Sequence, residues 1–226
     1  MIQLTPHADQ FKEQMQASLL NETKNSNPIK IGKHNHVYTV GDERETVYFI
    51  EKGQIKLVMV SEEGKECMLA IHGAGDVFGE LCLSGLGARL ETATAMEDSF
   101  LKEIPCGKFL GRLTTDSLLE GFIRYLAVRI ADQQQVIANL VTVDSEQRLG
   151  KTLLQIAKKL GKKDPRSIRI EVKISHEELA AMVGTTRPRI SVFMQRFCNL
   201  DLIEYNTEHH LIIKEHKLTA YLSSIL

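Results

Sequence analysis

The sequence predicts an α+β chain in three parts: an N-terminal β jelly-roll barrel, one long helix, and a C-terminal winged helix-turn-helix. Three observations carry this. Short alternating runs broken by turn residues fill residues 29–104, which argues an all-β barrel or jelly roll. A heptad stripe follows at Leu119, Ile123, Leu126, Ile130, Gln133, Ile137 and Leu140. Near the end, two short helical patterns meet at a glycine and run into a hairpin pattern. The expected parts are residues 1–116, 117–144 and 145–226.

Before the barrel, Phe11, Met15 and Leu19 have helical spacing over residues 8–20, and residues 21–27 read as a polar loop. The expected strands are residues 37–40, 46–50, 55–60, 66–71, 92–95 and 100–104, separated by turn signals such as Gly41-Asp42 and Gly53. Residues 109–119 read as helical or turn-like and lead into the long helix.

In the long helix the apolar steps alternate four and three, a seam over about three heptads. Ser117 with Glu120 predicts a capping box at its start. A stripe this narrow suits a partner helix, and the alternative is a helix packed on its own domain. Gln133 is the lone polar residue of the seam, a type known to set register. Asp144 and Gln147 predict the N-terminus of the next helix and place a hinge between Val143 and Asp144. Residues 158–166, with four lysines and a proline, read as a basic loop.

Ser175 and Glu178 form another capping-box pattern, opening a helix over 177–183 that stops at Gly184. Thr186 then caps a helix over 187–199, with Pro188 tolerated in its first turn. Residues 202–205 and 211–214 read as the two strands of a wing. On the second helix Ile190, Phe193, Met194 and Phe197 share the inward face. Arg187, Arg189, Ser191, Gln195 and Arg196 lie off it, with Pro188 and Val192. Cations for phosphates and long polar side chains for base edges are what a DNA-reading helix needs. Ser175 and Thr186 join this candidate set from the two helix starts. The alternative is a protein-interaction module with exposed arginines.

Charge is divided unevenly. Residues 147–226 carry 14 Lys and Arg against 8 Asp and Glu, while the whole chain has a net charge of −1. A basic C-terminal part on an acidic N-terminal one points to nucleic acid as a partner. No apolar run approaches 18 residues, and the N-terminus does not read as an export signal, so the expected location is cytoplasmic. Cys67, Cys82, Cys106 and Cys198 lack metal-ligand spacing and read as free buried thiols. Motifs for a serine nucleophile, a zinc protease or a phosphate loop are missing, so no catalytic residue is expected. His34 and His36 read as a solvated pair, with a metal pair as the alternative.

Gly79 could let backbone approach a ligand, Glu80 could accept a sugar hydroxyl, and Arg89 could meet a phosphate. By spacing alone, a structural turn plus a surface salt bridge explains the same residues.

These pieces together resemble the CRP/FNR family of bacterial transcription regulators, along almost the whole chain. Residues 45–53 and 75–81 resemble the family's cyclic-nucleotide-binding-type barrel. Asn139, Leu140 and the Asp144 hinge resemble its dimerisation helix, and residues 174–199 its winged helix-turn-helix. The resemblance implies a homodimer through residues 119–140, a two-fold symmetric double-stranded DNA operator, RNA polymerase as a partner, and an effector whose binding alters how the helices pair. It implies a cyclic nucleotide as ligand, held by Gly79, Glu80, Leu81 and Arg89 with Gln133 and Gln134 at the purine. The chain departs from the pattern in ways that matter. Leu90 stands where the family usually has Ser or Thr, and Glu91 follows it. A lost hydroxyl donor and an added carboxylate both weaken anion binding, so weak or absent binding of cyclic AMP is expected. Pro188 and Val192 stand where a Glu and a frequent base-reading Arg are usual, so the preferred DNA sequence should differ. Alternatives are the same regulator without a small ligand, or a nucleotide-binding module without a DNA role.

Overall fold

The computed structural model describes residues 6–21, 28–115 and 117–224, and the expected loop at 21–27 lies almost wholly outside them. The chain divides into two compact units, Met1–Gln135 and Val136–Leu226, with the division inside the long helix.

In the first unit, helix α1 (Pro6–Asn21) precedes strands β1 (Ile29–Ile31), β2 (His36–Tyr38), β3 (Thr46–Lys52), β4 (Ile55–Val60), β5 (Glu66–His72) and β6 (Val77–Phe78). A 3₁₀ turn (Glu80–Ser84), strands β7 (Thr92–Ala95) and β8 (Ser99–Pro105), and helices α2 (Cys106–Thr115) and α3 (Leu119–Thr142) follow. The strands form two antiparallel sheets, ordered β1-β8-β3-β6 and β2-β7-β4-β5. Strand β3 explains the layering. Tyr48 and Ile50 point between the sheets, onto Phe78, Ile55 and Leu101. Val47 and Phe49, at the alternate positions, point to a helical layer of Phe11, Met15, Phe109, Leu113, Phe122 and Tyr125. A strand buried on both faces reads as a continuous apolar run, which is how residues 46–50 read.

Helix α3 carries two apolar faces. Phe122 and Tyr125 are buried against the helical layer, with Phe11 rings 5.6 and 5.2 Å away. The heptad positions Leu119, Ile123, Ile130, Ile137 and Leu140 remain exposed, and Leu126 is half-buried between the two sets. The alternative of a helix packed on its own domain therefore holds for one face, while the heptad stripe lies on another and is left exposed. The Ser117 capping box does not form. The helix starts at Leu119, Ser117 sits before it at φ 56°, and Glu120 pairs with Arg124 at 2.7 Å. A side-chain cap works only from the residue directly before the first helical one.

The second unit adds α4 (Ser145–Leu160), β9 (Lys162–Asp164), β10 (Ser167–Ile170), α5 (His176–Val183), α6 (Arg187–Asn199), β11 (Ile203–Tyr205), β12 (Leu211–Ile213) and α7 (Glu215–Ser224). Asp144 caps α4, accepting from the Gln147 N–H at 2.8 Å, and the Ser175–Glu178 capping box forms in full at α5. The expected basic loop at 158–166 is a misreading. Helix α4 runs on to Leu160, and β9 and β10 form a hairpin in the sheet β11-β12-β10-β9. Its lysines lie on an exposed edge strand, where they discourage edge-to-edge pairing, and so mask the strand signal. Ile168 and Ile170 alternate into the core with Leu149, Leu153, Ile190, Met194 and Phe197.

Asp201, just past α6, binds the ammonium groups of Lys214 and Lys217 and so ties the wing to α7. Lys214 first and Lys217 second hold its carboxyl at about 2, below the ordinary 3.8. This support is therefore present above pH 3.8 and is lost as the pH falls through about 2. A carboxyl titration by NMR should give that low midpoint, and Lys214→Met should raise it; an unshifted Asp201 would contradict the clamp.

The thiols are free, but none is fully buried: Cys67 is exposed and the other three are partly buried. Burial, with Cys106 next in weight, pushes the Cys82 thiol up to about 12. His36 bonds Thr94 at 2.9 Å. Among the described residues no group of three His, Cys, Asp or Glu could hold a metal ion. No helix among them is long and apolar enough to cross a membrane.

Candidate effector site and DNA interface

In the barrel, the residues around Gly79 are bound to one another. Gly79 has φ 79°, and a Cβ there would lie 3.1 Å from both the Thr46 carbonyl and Arg89 Nη1, so only glycine fits. Arg89 is buried. Its Nη1 donates to the Gly79 carbonyl at 2.6 Å, and its Nη2 donates to the carbonyls of Arg44, at 3.1 Å, and Thr46. Its guanidinium also lies over the Tyr38 ring, 4.3 Å from the centroid. Backbone oxygens thus take up much of the charge that could meet a phosphate.

Glu80 opens the 3₁₀ turn and pairs with Arg129 of α3 at 2.8 Å, both side chains largely buried. Burial works against the Arg129 charge, but Glu80 and then Tyr125 outweigh it and raise its pKa. Glu91, also buried, accepts from the Tyr38 hydroxyl at 2.9 Å. Burial and then Glu91 push that phenol well above its ordinary value. Among the described residues the second oxygens of Glu80 and Glu91 have no hydrogen-bond donor. Two acceptor-rich carboxylates are an unfavourable setting for an anion.

Of the sequence candidates, Gly79 and Arg89 are in direct contact, and Glu80 adjoins them through the chain. Leu81 is exposed, as is Leu90. Gln133 and Gln134 are exposed on α3, about one turn beyond Arg129. The sequence reading missed Arg129, Tyr38 and the inward turn of Glu91. Arg129 lies off the heptad stripe, between Val128 and Ile130, with no motif around it, so only its burial beside Glu80 marks it.

The second candidate site is α6. Gly184 ends α5 at φ 69°, and a Cβ there would meet the Leu140 side chain at 3.1 Å, so glycine permits the tight turn. Arg148 holds the same turn, donating to the Val183 carbonyl at 2.9 Å and the Val143 carbonyl at 2.7 Å. With Ile190, Met194 and Phe197 buried, α6 exposes Arg187, Arg189, Ser191, Val192, Gln195 and Arg196. Ser191, Val192, Gln195, Arg196 and Asn199 line one open groove. Ser175 and its hydroxyl are committed to the α5 cap, and Thr186 occupies the α6 N-cap position without a side-chain cap bond. Arg187 lies 3.9 Å from Glu177, a loose surface pair. Arg196 is engaged more firmly. It donates to Glu146 at 3.0 Å, and the same carboxylate accepts from Tyr221 at 2.6 Å. Arg196 therefore also fixes α6 against α4 and α7.

Two family models match the chain: the cyclic nucleotide-binding domain over residues 28–116 and the Crp-like helix-turn-helix domain over residues 147–221. The global nitrogen regulator of Synechocystis sp. (strain PCC 6803) is 32% identical over 160 residues, 69% of this chain and 70% of that one. The chain belongs to the CRP/FNR family of transcription regulators. It is a DNA-binding regulator with an effector-binding domain of the cyclic-nucleotide type, in a family of regulators and not of enzymes.

The regulator is also 25% identical over 197 residues to a CRP-like cAMP-activated global transcriptional regulator of Mycobacterium tuberculosis (strain H37Rv), covering 87% of this chain and 88% of that one. Among solved structures, a CooA mutant from Carboxydothermus hydrogenoformans superposes with a TM-score of 0.73 at 26% identity, covering 91% of the regulator and 94% of that chain. The c-di-GMP responsive regulator CLP of Xanthomonas campestris shares the fold, with a TM-score of 0.72 at 19% identity over 88% of the regulator and 98% of that chain. The order of barrel, long helix and winged helix-turn-helix expected from the sequence is thus the order of a known family.

Proposed function

We propose that the regulator works as a homodimer joined through residues 119–140, and that it presents α6 of each protomer to one half of a two-fold symmetric operator. The observation that carries this is the exposed heptad stripe. Leu119, Ile123, Ile130, Ile137 and Leu140 are 44% to 63% exposed in the single chain, at the spacing of a coiled-coil seam. Five apolar side chains in one line on a helix of 24 residues, about 36 Å long, need a partner. A second copy supplies the same stripe, and C2 pairing of one helix is self-complementary. It would set two α6 helices to meet half-sites about 34 Å apart.

Arg187, Arg189, Ser191, Gln195 and Arg196, with Ser175 and Thr186 at the helix starts, form the DNA contact set in this reading. Arg187→Ala should cost about 1–3 kcal/mol and relax preference at one base position. Arg196→Ala should weaken all sequences alike and lower the salt slope, beyond any loosening of the Glu146 contact. Affinities across a salt series check both. Wild-type binding by both variants would remove α6 as the reader.

For the effector, Gly79, Glu80, Leu81, Arg89, Gln133 and Gln134 remain the ligand set, and a nucleotide other than cyclic AMP, or no small ligand, suits the geometry best. Arg89 is spent on three carbonyls, Glu80 on Arg129, and Glu91 is turned inward on Tyr38. A cyclic phosphate would have to displace backbone acceptors from Arg89. Relatives of this fold described as cAMP-activated and as c-di-GMP responsive show that the fold serves more than one effector. Calorimetry with cyclic AMP, cyclic GMP and cyclic di-GMP, paired with DNA affinity, decides between them. Micromolar cyclic-AMP binding that strengthens DNA binding, and is lost in Arg89→Ala, would overturn this reading.

A further inference from the structure

Helix α6 exposes a side chain that neither folding nor phosphate binding explains. Val192 is 65% exposed in the middle of the helix's outer face. It lines the open groove with Ser191, Gln195, Arg196 and Asn199, all polar. A β-branched residue is a poor choice for an exposed helix position, and here it returns little by packing within its own unit. The major groove offers one apolar feature on a base edge, the 5-methyl of thymine.

We propose that Val192 is a specificity-determining residue that packs on a thymine 5-methyl in each half-site. Valine offers no hydrogen bond, so it favours thymine over cytosine by the methyl alone and leaves cytosine's amino group without an acceptor. Gln195, one turn on, is posed for the matching hydrogen bonds. Its Nε2 donates to Asn199 at 3.0 Å, which holds the amide in place. One N–H and the carbonyl oxygen are left for adenine N7 and N6. Val192 and Gln195 together therefore select an A·T-containing step, where an arginine at position 192 would select guanine.

The proposal rests on α6 being the DNA reader, and the test separates the two. The full-length protein is used to enrich binding sites from a pool of random duplexes. Each enriched thymine is then replaced by deoxyuridine, which removes only the methyl. At one thymine per half-site this should weaken half-site binding about fourfold, the value of one buried methyl-sized group. Val192→Ala should bind the thymine site more weakly and no longer distinguish it from the deoxyuridine site. Val192→Thr keeps one methyl and should keep part of the discrimination. An enriched site with no sensitive thymine, or a thymine effect that persists in Val192→Ala, overturns the proposal and leaves α6 as reader. If no site is enriched and Arg187→Ala binds duplex DNA like wild type, the reader assignment fails and takes the proposal with it.

Discussion

Replacing Ile123 and Ile130 together by glutamate should turn the regulator into a monomer that no longer binds a two-fold operator with high affinity. Both side chains lie on the heptad stripe and are 58% and 55% exposed in the single chain, so the barrel does not depend on them. In a paired helix they would be buried, and glutamates there would be charged without partners. An uncompensated buried charge costs about 3–5 kcal/mol, and a symmetric dimer would carry four. Even with partial relief by water, dimer affinity should fall by more than about a thousandfold. Leu126 is a less clean target because it also packs against the helical layer of its own unit, so its loss mixes folding with association. Sedimentation velocity should show monomers, and the circular dichroism spectrum should show an intact fold. A dimer that survives both substitutions would place the interface elsewhere on the chain.

Arg129→Ala should destabilise the N-terminal unit by about 3 kcal/mol, the low end of the cost of breaking a buried pair, since its side chain keeps 19% exposure. The cost falls on Glu80, whose carboxylate is only 11% exposed and loses its cationic partner. The melting temperature should drop by roughly 10 °C. Converting the pair to Glu80→Gln with Arg129→Met removes both charges and should recover most of the loss, because well-packed neutral groups often replace a buried ion pair at little cost. A double-mutant cycle by thermal melting measures the coupling. A single variant melting within about 1 °C of wild type would show that water screens this pair. The pair also fastens the turn carrying Glu80 to the helix carrying the heptad stripe. Melting and sedimentation on the same variant would show whether stability and pairing respond together.

The elements written in local pattern were readable from the sequence by itself. The four-three spacing from Leu119 to Leu140 marked the stripe that stands exposed on α3. Asp144 with Gln147, and Ser175 with Glu178, marked two helix starts, because a cap is decided within four residues. The inward face of α6 followed from the 3.6-residue period alone. Tertiary structure decided whatever depends on partners distant in sequence. Ser117 and Glu120 have the spacing of a cap, yet the helix begins two residues after Ser117. Lys162 and Lys163 read as loop because an edge strand is held by its neighbour's hydrogen bonds and not by its own side chains. The candidate effector site shows this most clearly. Arg89 and Glu80 are nine residues apart, but the carbonyls of Arg44 and Thr46 hold one and Arg129 holds the other. In a buried site every charge must find the nearest available partner, and only the fold determines which atom that is.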